Sequence, residues 1–221
     1  MSIADANQVQ TRARLLEAAG EVFAEQGFRS ATVRDICERA GANIAAVNYH
    51  FQGKDQLYAA VLRHAHQCAL EQYPPTLGLS SNANPQARLH AFVRAFLLRI
   101  FDDGRPAWFG KLMAREMMEP TVALDELVAH TIRPQSEALA AIIREVLGPN
   151  ADDELIRQCI ASVVGQCLFY HHARPVIERL FPQQKYSTKE IERLADHITA
   201  FSFSALEQFA MQQRDCRREA S

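Results

Sequence analysis

Apolar residues recur every three or four positions along most of the 221-residue chain, the spacing that lines up one face of an α-helix. Leu15, Leu16, Ala19, Val22 and Phe23 make the first such stripe, and Gly27 follows as a C-terminal cap. Thr32 opens a second helix, with Asp35 three places on to complete a capping box. Val33, Ile36, Cys37 and Ala40 are its inner stripe, and Gly41 ends it, because glycine takes up left-handed backbone at little steric cost. Asn43 is a good N-cap for a third helix, which Gly53 breaks. A fourth starts near Lys54, turns Leu57, Tyr58, Val61 and Leu62 inward, and runs to about Glu71.

"YPPTLGLSSNANP" then interrupts the pattern with proline, glycine, serine and asparagine, and reads as a loop between parts. Helical spacing resumes over 86–101, 108–118, 123–147, 153–173 and 188–213. Pro134 should kink or split the third of these, and Ser187 with Glu190 offers a capping box to the last. No stretch alternates as a half-buried strand would, and no repeat is found. The expected fold class is all-α: an N-terminal three-helix helix-turn-helix domain over residues 1–62, then a larger helical domain over 63–221 for ligand binding and dimerisation.

The "AGAN" junction carries the first chemistry. Two helices joined by a short glycine-containing turn match the helix-turn-helix pattern. At about 100° per residue, Ile44, Val47 and Phe51 fall on the side of the third helix that should face the core. Tyr49 falls opposite, Ala45 and Ala46 lie beside it, and Asn48 and His50 flank the core stripe. Small residues let a helix approach the floor of a major groove about 12 Å wide, and alanine methyls can meet thymine methyls there. Asn48 can pair with adenine, while Tyr49 and His50 can bond phosphates and set the register. Lys54 begins the next helix, where free N–H groups also suit a phosphate. From Asn43 to Gly53 there is no acidic side chain. The plain alternative is an ordinary three-helix packing unit with alanines as spacers.

Net charge is −2, so a DNA-binding surface must be local and not a global basic field. Five scattered cysteines, Cys37, Cys68, Cys159, Cys167 and Cys216, do not make a disulfide framework and point to a reducing cytoplasm. No run of 18 apolar residues suggests a membrane span, and "MSIADANQVQTRARLL" lacks the basic-then-apolar order of a secretory signal.

The first 62 residues resemble the TetR family of bacterial transcriptional regulators. Phe23, Gly27, Phe28, Thr32, Val33, Ile36, Ala40, Gly41, His50, Phe51, Lys54 and Leu57 match in order and without gaps. "GANIAAVNYHF" and "KLMAREMMEPT" look most like the branch with a CecR-type C-terminal domain. The resemblance implies a homodimer that binds double-stranded DNA and senses a small molecule through its second domain. Carried over position by position, it implies a DNA face of Thr32, Asn43, Ala45, Ala46, Tyr49, His50 and Lys54. Family members often have lysine where Ile44 stands and tyrosine where Asn48 stands, so the operator sequence does not carry over. Arg12 and Arg14 precede the first stripe and suit phosphate or minor groove, or simply solvent.

The second half holds the remaining candidates. The helix around residues 159–170 is apolar nearly all round, so it must be covered on every side. With the stripe of the last helix it is expected to form a four-helix interface about a two-fold axis, using Val163, Val164, Cys167, Ile198, Phe201, Ala205 and Phe209. The alternative is that both helices close a monomeric core. "AWFGKLMAREMMEP" sets Trp108, Met113 and Met117 around Arg115 and Glu116, adaptable apolar surface with polar anchors. Phe92, Phe96, Gln166, Phe169 and Tyr170 are expected to complete a ligand pocket, although such stripes are more often core. Cys167 and His171 share a helix face, but two ligands are too few for zinc. No metal or cofactor is expected, and no nucleophile motif or phosphate-binding glycine loop suggests an enzyme.

The combined expectation is a cytoplasmic regulator, by family habit a repressor. It would bind a palindromic operator as a homodimer and be released by a small-molecule effector of unknown identity. The alternative is a DNA-binding or architectural protein whose C-terminal domain only dimerises.

Overall fold

The computed structural model describes residues 3–101 and 108–219, with side chains from 6 to 101 and from 108 to 215; Cys216 falls outside the latter. The described elements are all helical: α1 Ile3–Ser30, α2 Val33–Ala40, α3 Ile44–Phe51, α4 Lys54–Gln72, α5 Pro85–Phe101, α6 Trp108–Met118 and α7 Val122–Leu127. A π-helical turn at Val128–Ile132 leads into α8 Arg133–Leu147, followed by α9 Asp153–His172, α10 Arg174–Leu180 and α11 Thr188–Glu219. Among the described residues there is no strand, and no helix is long and apolar enough to cross a membrane.

Packing divides the chain into two units: residues 1–69 with 103–133, and residues 70–102 with 134–221. By packing, α6 and α7 group with the first of these units. The reason lies in what α6 touches. Trp108 lies against α1 so closely that a Cβ on Gly20 would sit 2.4 Å from its ring, and its indole N–H donates to Glu17 across 2.9 Å. The Arg115 guanidinium donates to the carbonyls of Ala24 and Glu25, both at 3.1 Å. These carbonyls belong to the last turns of α1, beside the kink at Gly27 (φ 80°).

A second tie crosses the same unit. The Tyr58 hydroxyl on α4 donates to Glu116 on α6 at 2.6 Å, and both residues are buried. The other oxygen of Glu116 accepts from the backbone N–H and the hydroxyl of Thr121, at 2.8 and 3.0 Å. Thr121 in turn caps α7 by accepting from Ala123 N–H. A carboxyl buried this deeply would cost several kcal/mol without such partners. Around these ties Leu15, Val22, Phe23, Ile36, Val47, Leu57, Val61 and Leu112 form one apolar core.

In the other unit, Leu89, Val93, Leu97, Leu139, Ile143, Val163, Ile198 and Leu206 bring α5, α8, α9 and α11 onto a single core. Arg94 pairs with Glu192, and His90 Nε2 lies 3.0 Å from Asp196, so α11 is also held to α5 by its charged flank. Arg99 is buried and donates to the Tyr73 carbonyl at 2.7 Å and to Gln135 at 3.0 Å.

One local expectation held and two changed in detail. The long helix over 123–147 is divided by the π turn, where Arg133 N–H reaches back to Val128 O and Pro134, which has no N–H to give, follows at once. α10 was not anticipated; Pro175 sits in its first turn, a position that tolerates proline. At the start of α11 the Ser187 hydroxyl bonds the Glu190 carboxyl directly.

Candidate nucleic-acid interface

The geometry of α3 starts with its two caps. Asn43 is extended (φ −84°, ψ 149°), and its Oδ1 accepts from Ala45 N–H at 3.0 Å, so the helix begins abruptly. It ends at Gln52, which takes left-handed backbone (φ 61°), followed by Gly53 at φ 131°. Only eight residues lie between, and two of them, Val47 and Phe51, anchor the helix in the core. α2 beneath it is fixed by the capping box anticipated above: Asp35 N–H donates to Thr32 Oγ1 at 3.1 Å, and Thr32 N–H to Asp35 Oδ2 at 3.3 Å. Gly41, left-handed at φ 58°, closes α2 and turns the chain into α3.

α2 is locked to α1 by charge. Arg39 reaches Glu25 at 2.8 Å and Glu21 at 3.4 Å. The hydrogen bond from Arg39 holds the Glu25 carboxyl below the usual carboxylate range. Both pairs are solvent-exposed and contribute orientation more than stability.

Each nominated DNA-facing residue can now be placed. Ala45, Asn48 and Tyr49 are exposed on α3, Tyr49 to 70%. His50 is half-buried, with its ring against those of Tyr49 and Phe51. Ala46 is half-buried and packs on the core, so it offers less surface than the helical wheel suggested. Thr32 and Asn43 are exposed, yet their side-chain oxygens are committed to helix caps. Lys54 departs furthest from expectation. Its ammonium donates to the carbonyls of Ala31 at 2.9 Å and Arg29 at 3.4 Å and lies 4.6 Å over the Phe28 ring. That side chain binds the α1–α2 turn.

Ile44 needs correction. The wheel put it on the core side, but it is 50% exposed. A wheel angle gives the direction of a side chain and not what lies beneath it; core residues lie under Val47 and Phe51, one and two turns on. Arg12 is exposed on α1, its guanidinium 5.3 Å from the centre of the Phe51 ring, which sets a cation beside the end of α3. Arg14 is exposed on the same helix. Sequence reasoning did not single out Gln52, whose exposed left-handed backbone shapes the α3–α4 turn. Only the glycine after it signalled a turn there.

The residues nominated for a ligand pocket fall in both units. Trp108, Met113, Arg115, Glu116 and Met117 lie on α6. Trp108, Arg115 and Glu116 make the structural ties described above, Met113 packs on the core with its sulfur 3.4 Å from His66 Nε2, and Met117 is exposed. Phe92, Phe96, Gln166, Phe169 and Tyr170 lie in the other unit. Phe92 is core, Phe96 and Tyr170 pack on that core half-buried, Phe169 is exposed, and Gln166 donates to Ser202 across 3.1 Å.

The nominated dimer residues divide as sharply. Val163, Cys167 and Ile198 are buried within their own chain and have no surface to offer a partner. Val164, Ala205 and Phe209 are half-buried and Phe201 is 64% exposed. Burial pushes the Cys167 thiol up to about 12.

Residues 15–61 match the model of bacterial regulatory proteins of the tetR family. Residues 85–206 match the C-terminal domain of the HTH-type transcriptional dual regulator CecR. The chain is 28% identical over 177 residues to the dual regulator CecR of Shigella flexneri, covering 76% of this chain and 78% of that one. It is 36% identical over 91 residues to the repressor KstR2 of Mycobacterium tuberculosis, 41% of this chain and 44% of that one. A transcriptional regulator from Rhodococcus sp. Rha1 shares the fold, with a TM-score of 0.61 at 23% identity over 89% of this chain and 97% of its own.

Proposed function

The chain belongs to the TetR family of DNA-binding transcriptional regulators, in the branch with a CecR-type C-terminal domain, and from that premise we propose that it acts as a homodimer on a palindromic operator and is released by a small molecule. The observation that carries this reading is the outward arc of α3. Ala45, Asn48 and Tyr49 stand in solvent, and no acidic side chain lies between Asn43 and Gly53. Such an arc enters a major groove without repulsion from phosphate.

One helix-turn-helix binds weakly, and a two-fold partner doubles the contacts, with half-sites about 34 Å apart. The surface available for pairing is the outer side of α9 and α11, where Phe169 and Phe201 are exposed and His197, Ala200, Ser204 and Ala205 line an open groove. The effector is assigned to the C-terminal unit, where Phe96 and Tyr170 present half-buried rings and Gln166 and Ser202 a polar pair. A tenfold loss of operator affinity requires about 1.4 kcal/mol of differential effector binding. With its relatives named as repressors and a dual regulator, repression in the cytoplasm is the expected outcome.

Selection of bound sequences from a random duplex library with the full chain tests the DNA reading. An imperfect palindrome is expected, and failure to enrich any site contradicts it. A screen for compounds that raise the melting temperature and weaken operator binding tests the effector. If binders of the folded state never change operator affinity, the C-terminal unit only dimerises.

A further inference from the structure

The first turn of α3 exposes hydrocarbon where a groove-reading helix would be expected to carry hydrogen-bonding groups. Ile44, its first residue, is 50% exposed, and Ala45 beside it is exposed as well. The polar group nearest in sequence, Asn43 Oδ1, is held by Ala45 N–H. Asn48 and Tyr49, which can hydrogen-bond, come one turn later. Half of this branched aliphatic side chain is left open to a partner, since Ile44 lies outside the core that takes in Val47 and Phe51.

In helix-turn-helix complexes the N-terminal residues of the second helix contact base edges. The major groove offers one apolar group to such a contact, the 5-methyl of thymine. Guanine, cytosine and adenine present donors and acceptors, which an isoleucine would desolvate without replacing.

Given that α3 enters the groove, we propose that Ile44, together with Ala45, selects thymine by its 5-methyl group, so that each operator half-site carries thymine where α3 begins. Asn48 then reads the adjacent part of the half-site, and Asn43 serves as a cap and not as a base reader. Specificity at the start of the helix is set by hydrocarbon contact and at its second turn by hydrogen bonds.

The test replaces thymine by deoxyuridine, which removes only the methyl, one position at a time in the operator selected by the full chain. One position per half-site should weaken binding about 4-fold, and both together roughly 15-fold, the effect of one desolvated methyl per site. With Ile44→Ala the same replacement should cost clearly less, because only Ala45 is left against the methyl. Ile44 is half in solvent, so this variant should keep its helical circular dichroism, and Ile44→Val should retain part of the discrimination. A selected operator that binds equally well with deoxyuridine at every position overturns the proposal while leaving DNA binding intact. So does a deoxyuridine penalty that is unchanged in Ile44→Ala. Failure to select any site removes the groove reading and this proposal with it.

Discussion

The Tyr58 hydroxyl donates to Glu116 Oε2 across 2.6 Å, joining α4 to α6 beneath the helix-turn-helix. Burial is the main cause that raises the Tyr58 pKa well above the ordinary tyrosine value of 10.0, and the bond to Glu116 adds to it. A phenol that holds its proton more tightly when folded stabilises the fold fully below the unfolded value. That contribution is lost as pH rises beyond it. Stability should therefore decline above about pH 10, and Tyr58→Phe should flatten that limb. At neutral pH the same substitution should cost about 1.5–3 kcal/mol, because Glu116 keeps only Thr121. Urea unfolding of both proteins across pH measures both effects.

Gly20 gives a prediction whose sign is informative. It sits inside α1, where alanine would ordinarily stabilise by about 0.5–1 kcal/mol. Its added Cβ would meet three atoms of the Trp108 ring within 2.4–2.5 Å. Overpacking of this kind costs about 1–3 kcal/mol, so Gly20→Ala should destabilise on balance. In a Trp108→Leu background the clash is relieved and the helix preference should show. Thermal unfolding of the four proteins in the cycle decides.

Thr32→Ala removes the oxygen that accepts from Asp35 N–H and should cost about 1 kcal/mol, with Thr32→Ser restoring most of it. The readout is the urea midpoint. A loss of operator affinity beyond what the destabilisation explains would assign the hydroxyl a DNA contact as well.

Two neighbouring positions on α11 separate core from interface. Ile198 is fully buried within its chain and Phe201 is 64% exposed. Phe201→Glu should leave the fold intact and shift the proposed dimer to monomer in sedimentation. Ile198→Glu should unfold it, because a lone carboxylate would be buried.

Much of this was legible in the chain. The capping residues Thr32, Asp35, Gly41 and Asn43 act on backbone within a few positions, so local sequence carries them, and α2 and α3 begin where those residues predict. Trp108–Met118 was also legible as a helix, since its apolar spacing is local. Its allegiance was not. That depends on Trp108 meeting Gly20 and Arg115 meeting Ala24, contacts about ninety residues apart that no periodicity encodes. The same limit misjudged Ile44 and hid the intramolecular partners of Lys54: a wheel and a motif give direction and position, while exposure and hydrogen-bond partners depend on which other segment arrives. On α9 and α11 the stripe was visible, but the residues nominated for a partner included those that fill the chain's own core, Val163, Cys167 and Ile198.

The outward face of α3 is tested most directly by operator affinity of Ala45→Glu, measured by fluorescence anisotropy on the selected duplex. Ala45 is exposed and lies in the first turn, where a carboxylate favours the helix, so the fold should be unharmed. Ala46, which packs on the core, would not separate the two effects. The account predicts an unchanged melting temperature and a loss of affinity of at least about 100-fold, from a charge set against phosphate and base edges. Wild-type affinity in a folded Ala45→Glu protein would contradict it.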